Sequence, residues 1–301
     1  MLMRTRTHHG IGKCIAGRCD WAILKQGSSG DLDKQPRTIF FKAEPCFIKK
    51  FYNRFLPKIK NETRFILISG DADKTIPNQT DKRWGGYKNS PIEEIINKIL
   101  DDPRLIHWYA ENCDDPSHPK LSCLAVGLGK DQHEETLLKY SREKVDFSTR
   151  PLRAACRHRH RPGPQFETRR EVSNLCETHW STVVDATIEG LPWGKFLCRM
   201  RQFAFGICVT GGGIELAPKS WDLMLIGVIP IIKTSSLDEI YKELPVVIVD
   251  DWLPDTITPE KLKAWMAEFR PFYEDPLLRE EVLYKLSMDY WWNKIINSEV
   301  K

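Results

Sequence analysis

Short, unbroken apolar runs most constrain how this chain can fold. They are "RFILIS" (Arg64 to Ser69), "FAFGICV" (Phe203 to Val209), "IGVIPII" (Ile226 to Ile232) and "LPVVIV" (Leu244 to Val249). Such runs are typical of parallel strands that are covered on both faces. Amphipathic segments lie between them, among them "SPIEEIINKIL" (Ser90 to Leu100), which begins with a Ser-Pro pair that favours a helix start. The alternation predicts an α/β fold with parallel sheets.

The length of 301 residues allows two domains. A polar and charged stretch from about Gly129 to Pro151 is a natural crossing between them. We therefore expect an N-terminal domain over 38–150 and a C-terminal domain over 151–270. The segment 1–37 has no sustained period and is expected to be irregular, and the segment 271–301 is expected to be helical and to pack toward the N-terminal domain.

Composition narrows the class of protein. The net charge of +4 is too small for a general nucleic-acid binder, and apolar runs stay below the roughly 18 to 20 residues of a membrane span. The nine cysteines form no Cys-x-x-Cys pair, which indicates a reducing compartment. We expect a soluble, cytoplasmic protein, and the sequence does not indicate its oligomeric state.

Three consecutive glycines, Gly211 to Gly213, stand between an apolar strand and a helix. Bare backbone there would let N–H groups approach a phosphate, and Lys219 would add a full positive charge. Asp222 falls one turn further on the same helix face as Lys219 and would hold sugar hydroxyls. A tight turn with a surface ion pair explains the same residues equally well.

The segment "CRHRHR" (Cys156 to Arg161) alternates between two kinds of side chain. A strand would place its cysteine and two histidines on one side, as a weak candidate for a metal site, and the arginines on the other. With Arg169 and Arg170, Arg159 and its neighbours form a candidate anion clamp; a solvated basic face is the alternative. Nucleic-acid binding through this segment is the least favoured reading, because the chain carries little net charge.

Asp71 and Asp73 follow "RFILIS" directly, at the strand end where α/β sheets bind ligands. The pair suits a divalent metal or a general base. Simple turn chemistry accounts for it too, because Asp readily hydrogen-bonds its own backbone. Trp252, Trp291 and Trp292 are expected to pack in the interior.

These motifs together resemble the exostosin-like family of glycosyltransferases, over roughly Thr38 to Trp292. The resemblance rests on "TGGGIELAPKSWDLM", "GVIPI", "LPV" and "DW" in order, and upstream on "FILISGDADKTIP" and "WYAENCDDPSHPKLSCLAVGL". It implies a GT-B architecture, with two Rossmann-like domains that face a cleft and C-terminal helices that pack back across. It also implies transfer with inversion, and no cofactor or essential divalent metal.

The resemblance further implies roles for single residues. Asp73 would be the general base, with Asp71 in reserve. The donor site would hold Arg159, Arg169, Arg170, Thr210, Gly211, Gly212, Gly213, Glu215, Lys219 and Asp222. Asp71, Asn112 and His118 would lie on the acceptor side. Lys219 and Asp222 stand where the family has Arg and Glu, so each keeps its charge and loses reach.

The expected substrates are a UDP-sugar, with xylose or another pentose as the sugar, and a hydroxyl of an oligosaccharide or glycoprotein glycan. The alternative is a catalytically inactive relative that binds a nucleotide or a glycan. The chain is similar to short soluble members that large DNA viruses of algae encode, which would place it in the host cytoplasm.

Overall fold

The computed structural model describes residues 1–7, 11–25, 27–129, 133–187, 191–216 and 218–298. The chain forms two compact units. Unit 1 consists of Met1–Asp131, Gly212–Glu215 and Ser287–Lys301, and unit 2 consists of Gln132–Gly211 and Leu216–Leu286. Four residues of the glycine-rich segment thus belong to unit 1, although the chain on either side of them belongs to unit 2.

Unit 1 is built on a six-stranded sheet with the strand order β2-β1-β3-β4-β5-β6. All neighbouring strands are parallel except β1 and β2. The strands are β1 (Trp21–Leu24), β2 (Gly27–Ser29), β3 (Thr38–Lys42), β4 (Phe65–Gly70), β5 (Leu105–Glu111) and β6 (Leu121–Leu124); the α-helices are α1 (Pro45–Lys50), α2 (Pro91–Leu100) and α11 (Met288–Ile296).

The central strands of this sheet are buried because apolar side chains pack against them. Every residue of β4 is buried, as an unbroken apolar run predicts. Phe41 on β3 packs against Phe51 and against Trp108 on β5, in both cases with ring centroids 5.6 Å apart. Helix α2 begins where the sequence predicts, because Ser90 accepts hydrogen bonds from the first free N–H groups of the helix.

Unit 2 contains an entirely parallel five-stranded sheet with the order β11-β10-β9-β7-β8. Its strands are β7 (Ala154–Arg157), β8 (Val184–Thr187), β9 (Phe205–Ile207), β10 (Ile229–Lys233) and β11 (Val247–Val249). Its α-helices are α3 (Glu134–Ser141), α4 (Glu167–Glu177), α5 (Trp193–Met200), α6 (Lys219–Leu225), α7 (Asp238–Tyr241), α8 (Pro259–Phe269), α9 (Pro271–Glu274) and α10 (Pro276–Lys285).

Short helical turns complete the two units. They are 3-10 turns at Ile11–Lys13, Ile15–Arg18, Leu56–Lys58, Phe147–Thr149 and Pro164–Phe166, and a π-helical turn at Phe51–Phe55. In unit 2, Trp252 is buried and packs edge-on against Trp180, with ring centroids 6.1 Å apart. Trp291 of unit 1 is also buried, whereas Trp292 is half-buried.

The α/β class with two Rossmann-like parallel sheets is confirmed. Strands β1 and β2 lie within the segment 1–37, so the prediction of irregular structure there was wrong. The two strands are short and flanked by turn-forming residues, which hides them in the sequence. Strand β7 ends at Arg157, so the segment from His158 to Arg161 is a loop and not the expected strand. The chain from Ser287 onward belongs to unit 1.

Candidate functional site

Two residues that directly follow neighbouring strands of unit 1 have left-handed backbone. Asp71 follows β4 with φ of 58°, and Asn112 follows β5 with φ of 54°. Non-glycine residues adopt such φ values rarely, at a cost of about 1 to 3 kcal/mol, and they concentrate at functional sites. The Asn112 side chain also donates to the Ala72 carbonyl at 3.0 Å. Two predicted acceptor-side residues are therefore brought together at the carboxyl edge of the sheet.

Asp73, the predicted base, lies between two arginines. Its Oδ1 accepts from Arg6 Nη2 at 3.2 Å and its Oδ2 from Arg83 Nη2 at 3.0 Å. The Asp73 side chain is 37% exposed. A carboxylate oxygen can accept a second hydrogen bond, so a partly exposed Asp73 retains acceptor capacity for a substrate hydroxyl.

Glu111, the last residue of β5, is buried and contacts Arg6 and Asp71, which lie beside Asp73. Its side chain is completely buried; Oε1 lies 2.9 Å from Arg6 Nη2, and Oε2 accepts from Thr5 Oγ1 at 2.7 Å and from the Asp71 N–H at 2.6 Å. Burial raises the pKa of Glu111 to about 7, although Arg6 opposes the shift. Glu111 was not predicted from the sequence; the available signal was a carboxylate at the end of a mostly buried strand.

Asp81 is a second buried carboxylate that the sequence analysis missed. Arg83 donates to it from Nε at 3.0 Å and from Nη2 at 2.7 Å, in a two-point contact. Burial opposes ionisation of Asp81, but the hydrogen bonds from Arg83 and Gly213 outweigh burial and lower its pKa. Asp81 and Asp73 therefore share Arg83.

The glycine-rich segment of unit 1 lies against this cluster. The Gly213 N–H donates to Asp81 Oδ2 at 2.6 Å, and the N–H groups of Ile214 and Glu215 both donate to Asn112 Oδ1 at 2.9 Å. The sequence predicted that the Gly213 N–H would face a diphosphate; in the structure a carboxylate of the chain itself accepts that hydrogen bond. A phosphate could take this N–H only if the bond to Asp81 broke.

Two glycines of this segment lie where a Cβ would collide with side chains of unit 1. A Cβ on Gly212 would lie under 3.0 Å from Asp73 Oδ2 and Arg83 Nη2. A Cβ on Gly213 would meet the Asn112 side chain in the same way, and Gly213 has φ of 68°. Bare backbone at these two positions is therefore required by the unit 1 side chains themselves.

Arg169 lies beside three other predicted donor-site residues in unit 2, Arg159, Thr210 and Gly211. Its Nε donates to the Thr210 carbonyl and its Nη1 to the Arg159 carbonyl, each at 3.0 Å. A Cβ on Gly211 would lie under 3.0 Å from Arg169 Nη2. Burial and the nearby Arg161 charge lower the pKa of Arg169. Arg170 is separate from this group: it is exposed and lies 3.8 Å from Glu167.

Lys219, at the start of α6, contacts backbone carbonyls. Its Nζ donates to the Ile207 carbonyl at 2.5 Å and to the Arg157 carbonyl at 2.9 Å, which are the last residues of β9 and β7. The sequence predicted a free cation for phosphate. The structure shows instead an ammonium that satisfies two strand-end carbonyls, and phosphate binding remains a prediction.

Asp222 is a buried carboxylate on the same helix. The Trp193 indole N–H donates to Asp222 Oδ2 at 3.3 Å, and Oδ1 is buried with no hydrogen-bond partner in the part of the chain that the structure describes. Burial raises the pKa of Asp222 to about 7, against the effect of Trp193. A buried acceptor without a donor is costly, by about 1 to 3 kcal/mol, so a donor that reached Oδ1 would be stabilising.

The weak metal candidate in unit 2 is engaged in hydrogen bonds. His158 Nε2 lies 3.0 Å and His160 Nε2 2.9 Å from Ser173 Oγ, and Cys156 Sγ lies 3.5 Å from His158 Nδ1. Within the described ranges, no group of three or more Cys, His, Asp or Glu residues is arranged to hold a metal ion. His118 is in unit 1, where its Nδ1 accepts the Lys120 N–H at 3.1 Å before β6.

None of the helices in the described residues is both long and apolar enough to cross a bilayer.

Comparisons with known proteins found similarity only at the level of solved structures. No protein-family model matches the chain, and no curated protein matches it. Among solved structures it is similar to TarM (10% identity, TM-score 0.44, 87% of this chain and 54% of that one). It is also similar to an α-glucosyltransferase in complex with UDP and DNA (11% identity, TM-score 0.37, 87% of this chain and 80% of that one). A third similar structure is an α1,3-fucosyltransferase (10% identity, TM-score 0.38, 86% of this chain and 72% of that one). The chain spans about half the length of TarM.

Proposed function

We propose that this chain is a glycosyltransferase that moves a sugar from a nucleoside diphosphate donor to a hydroxyl of a glycan acceptor, with inversion. The observation that carries the proposal is the buried Asp222 carboxylate, whose Oδ1 has no donor among the described residues. A ribose or sugar hydroxyl supplies such a donor. The motif around it, "PKSWD" followed by "GVIPI", is the part of the sequence that most closely resembles the exostosin-like family.

The proposed reaction is one displacement. The acceptor oxygen forms a bond to the anomeric carbon while the bond from that carbon to the diphosphate oxygen breaks. The acceptor proton passes to a carboxylate, and the diphosphate leaves with the bonding pair. Asp73 is our choice of base, with Asp71 in reserve, since Asp73 is part-exposed and is oriented by Arg6 and Arg83.

The proposal also assigns the donor site, the donor and the acceptor. We assign the donor to unit 2, with Asp222 on hydroxyls and Arg169 near the diphosphate, in a GT-B arrangement. The donor is a uridine-linked sugar, with a pentose such as xylose as the first choice, and the acceptor is an oligosaccharide or glycoprotein glycan. No divalent metal is essential in this proposal, and no nucleic acid takes part.

A second candidate function, a binding protein that lacks turnover, has its own observation. Both Asp73 oxygens are bound by guanidinium groups, and Lys219 is bound by two carbonyls, so neither group is free of internal contacts. Such a protein would bind a nucleotide diphosphate or a glycan and release no product.

A donor panel separates the two functions. Release of nucleotide diphosphate is measured across UDP-, GDP- and ADP-sugars, first without acceptor, then with candidate oligosaccharides, and each with and without a chelator. Release that depends on acceptor and persists with chelator supports the transferase. Saturable nucleotide binding with no release from any donor supports the binding protein.

A further inference from the structure

Unit 2 contains a cavity whose charge the proposed function does not use. Its volume is about 630 Å³, within the usual range of about 300 to 1,000 Å³ for small-molecule sites. Five cationic side chains line it: Lys144, Arg150, Arg153, Arg199 and Arg201. We refer to this site as the basic cavity.

The basic cavity lies at the opposite sheet edge from the predicted donor-site residues. Arg153 immediately precedes β7, and Phe203, which also lines the cavity, stands just before β9. Thr210 and Gly211 instead come after β9, and Lys219 contacts the last carbonyls of β9 and β7. In a parallel sheet these are opposite ends of the same strands, so the two sites are distinct.

The charge in the basic cavity is only partly neutralised. Two carboxylates, Asp146 and Asp185, line it beside the five cations. Asp185 pairs with Arg157 and, at 3.0 Å, with Arg199; Asp146 accepts hydrogen bonds from Ser148. The excess of three positive charges in one cavity compares with a net charge of +4 for the whole chain.

Contacts with the rest of unit 2 hold several of these guanidinium groups in place. Arg150 donates to the carbonyls of Phe203 and Gly227, and Arg153 donates to the Val184 carbonyl at 3.2 Å. The Arg201 guanidinium lies 4.2 Å from the centroid of the Tyr140 ring and also pairs with Glu143. Fixed donors of this kind lose little conformational entropy when an anion binds.

Two residues that line the basic cavity each have a buried nitrogen without an acceptor among the described residues. Arg153 Nε and Arg201 Nε are buried and have no hydrogen-bond partner in the described part of the chain. Burial lowers the pKa of Arg150 to about 10, and the nearby Arg201 charge lowers it further. A multiply charged anion in the basic cavity would relieve this repulsion.

We propose that the basic cavity binds a small ligand that carries two or more linked phosphate groups. Phosphate oxygens match the planar donor pattern of arginine, and linked phosphates are needed to engage cations that come from two separate segments. Lys144 and Arg153 come from the segment before β7, and Arg199 and Arg201 come from the end of α5 and the turn after it. The ligand is either an inorganic polyphosphate or the phosphate chain of a nucleoside triphosphate.

The test is titration calorimetry of the full chain at low ionic strength, with inorganic tripolyphosphate as the probe. We expect one site, weakened about tenfold or more by Arg153→Gln, since a charged hydrogen bond contributes about 1.5 to 3 kcal/mol. Lys144→Gln alters an exposed side chain and should weaken the same site without affecting folding, which thermal melting checks. Lys242→Gln is the matched control, because it removes an exposed charge elsewhere in unit 2.

Other outcomes have defined meanings. Tighter binding of ATP than of tripolyphosphate supports the proposal and identifies a nucleotide as the source of the phosphates. Three results would overturn it: no binding of tripolyphosphate, wild-type affinity in both the Arg153→Gln and Lys144→Gln variants, or a loss of affinity in Lys242→Gln as large as in those two variants. Tighter binding of an oligonucleotide than of tripolyphosphate would overturn the small-ligand assignment. Asp222→Asn should leave tripolyphosphate binding unchanged, so failure here and failure of sugar transfer are separable.

Discussion

The backbone N–H of Gly213 donates to the Asp81 carboxylate at 2.6 Å. A glycine-rich turn between a strand and a helix suggests a phosphate loop, but this N–H group is used by a side chain of unit 1. The next two N–H groups, of Ile214 and Glu215, donate to Oδ1 of Asn112. The glycine run therefore lies against the cluster that contains Asp73.

Alanine at Gly213 should destabilise the protein. A Cβ would collide with the Asn112 side chain, and alanine disfavours φ of 68°. We expect the free energy of unfolding, from urea denaturation, to fall by more than about 1 kcal/mol. Gly194→Ala is the matched control, because a Cβ there has open space and the residue is in α5. Equal stability of the two variants would show that the Gly213 contact is unimportant.

Asp73→Asn should abolish transfer while leaving nucleotide binding intact. An amide cannot accept the acceptor proton, and loss of a general base typically costs about a hundred- to ten-thousand-fold in rate. The turnover rate and the dissociation constant for the nucleotide are measured together. Glu62→Gln, an exposed carboxylate of the same unit, is the control. Full activity of Asp73→Asn would exclude this residue as the base, and Asp71→Asn would then be tested.

Lys219→Met should lower stability and weaken nucleotide diphosphate binding. The ammonium satisfies the carbonyls of Ile207 and Arg157, so its loss is expected to cost about 1 to 3 kcal/mol in the free energy of unfolding. Methionine keeps most of the apolar stem. The dissociation constant for UDP is then measured under conditions where the variant is folded. A lower stability with an unchanged dissociation constant would show that Lys219 is structural only.

Asp222 gives the stability a pH dependence of known sign. Its pKa is about 7 in the folded chain, above the ordinary value of 3.8, so between these values the folded state holds a proton that the unfolded state has lost. Stability from this group therefore falls as the pH rises from about 4 to about 7. Urea denaturation of wild type and Asp222→Asn across this range checks the sign.

The stability advantage of wild type over Asp222→Asn should shrink with rising pH. Glu111 contributes a slope of the same sign to both proteins, because its pKa is also raised to about 7. The comparison removes that common contribution. A constant difference from pH 4 to pH 7 would contradict the raised pKa of Asp222.

The sequence predicts the α/β class well because the strands that carry it are apolar runs. The run from Arg64 to Ser69 was predicted as a strand and coincides with β4 (Phe65–Gly70), and Ser90 was predicted at a helix start and is the N-cap of α2. Strand β5 was missed because its histidine and glutamate interrupt the apolar pattern of "LIHWYAE". Its buried Glu111 is satisfied by residues distant in sequence, which no local period reveals.

Some residues of the candidate site were predicted from the sequence, but their contacts were not. Asp71 and Asp73 were predicted because they follow an apolar run, which is β4, and the carboxyl ends of parallel strands are where ligands bind. Asn112 was predicted only from the family resemblance. Arg6, Asp81 and Arg83 join them through tertiary contacts alone. The same holds for Lys219, whose spacing fits a phosphate ligand and whose nearest acceptors are carbonyls of the chain.

The most direct test of the central claim is the stoichiometry of transfer. With the best donor of the panel and its acceptor, mass spectrometry measures the gain in acceptor mass while nucleotide diphosphate release is followed. The proposal predicts that each acceptor gains one sugar per diphosphate released, and that the Asp73→Asn variant binds the nucleotide but gives neither product. Nucleotide binding by wild type, with no acceptor mass gain from any donor, would contradict it.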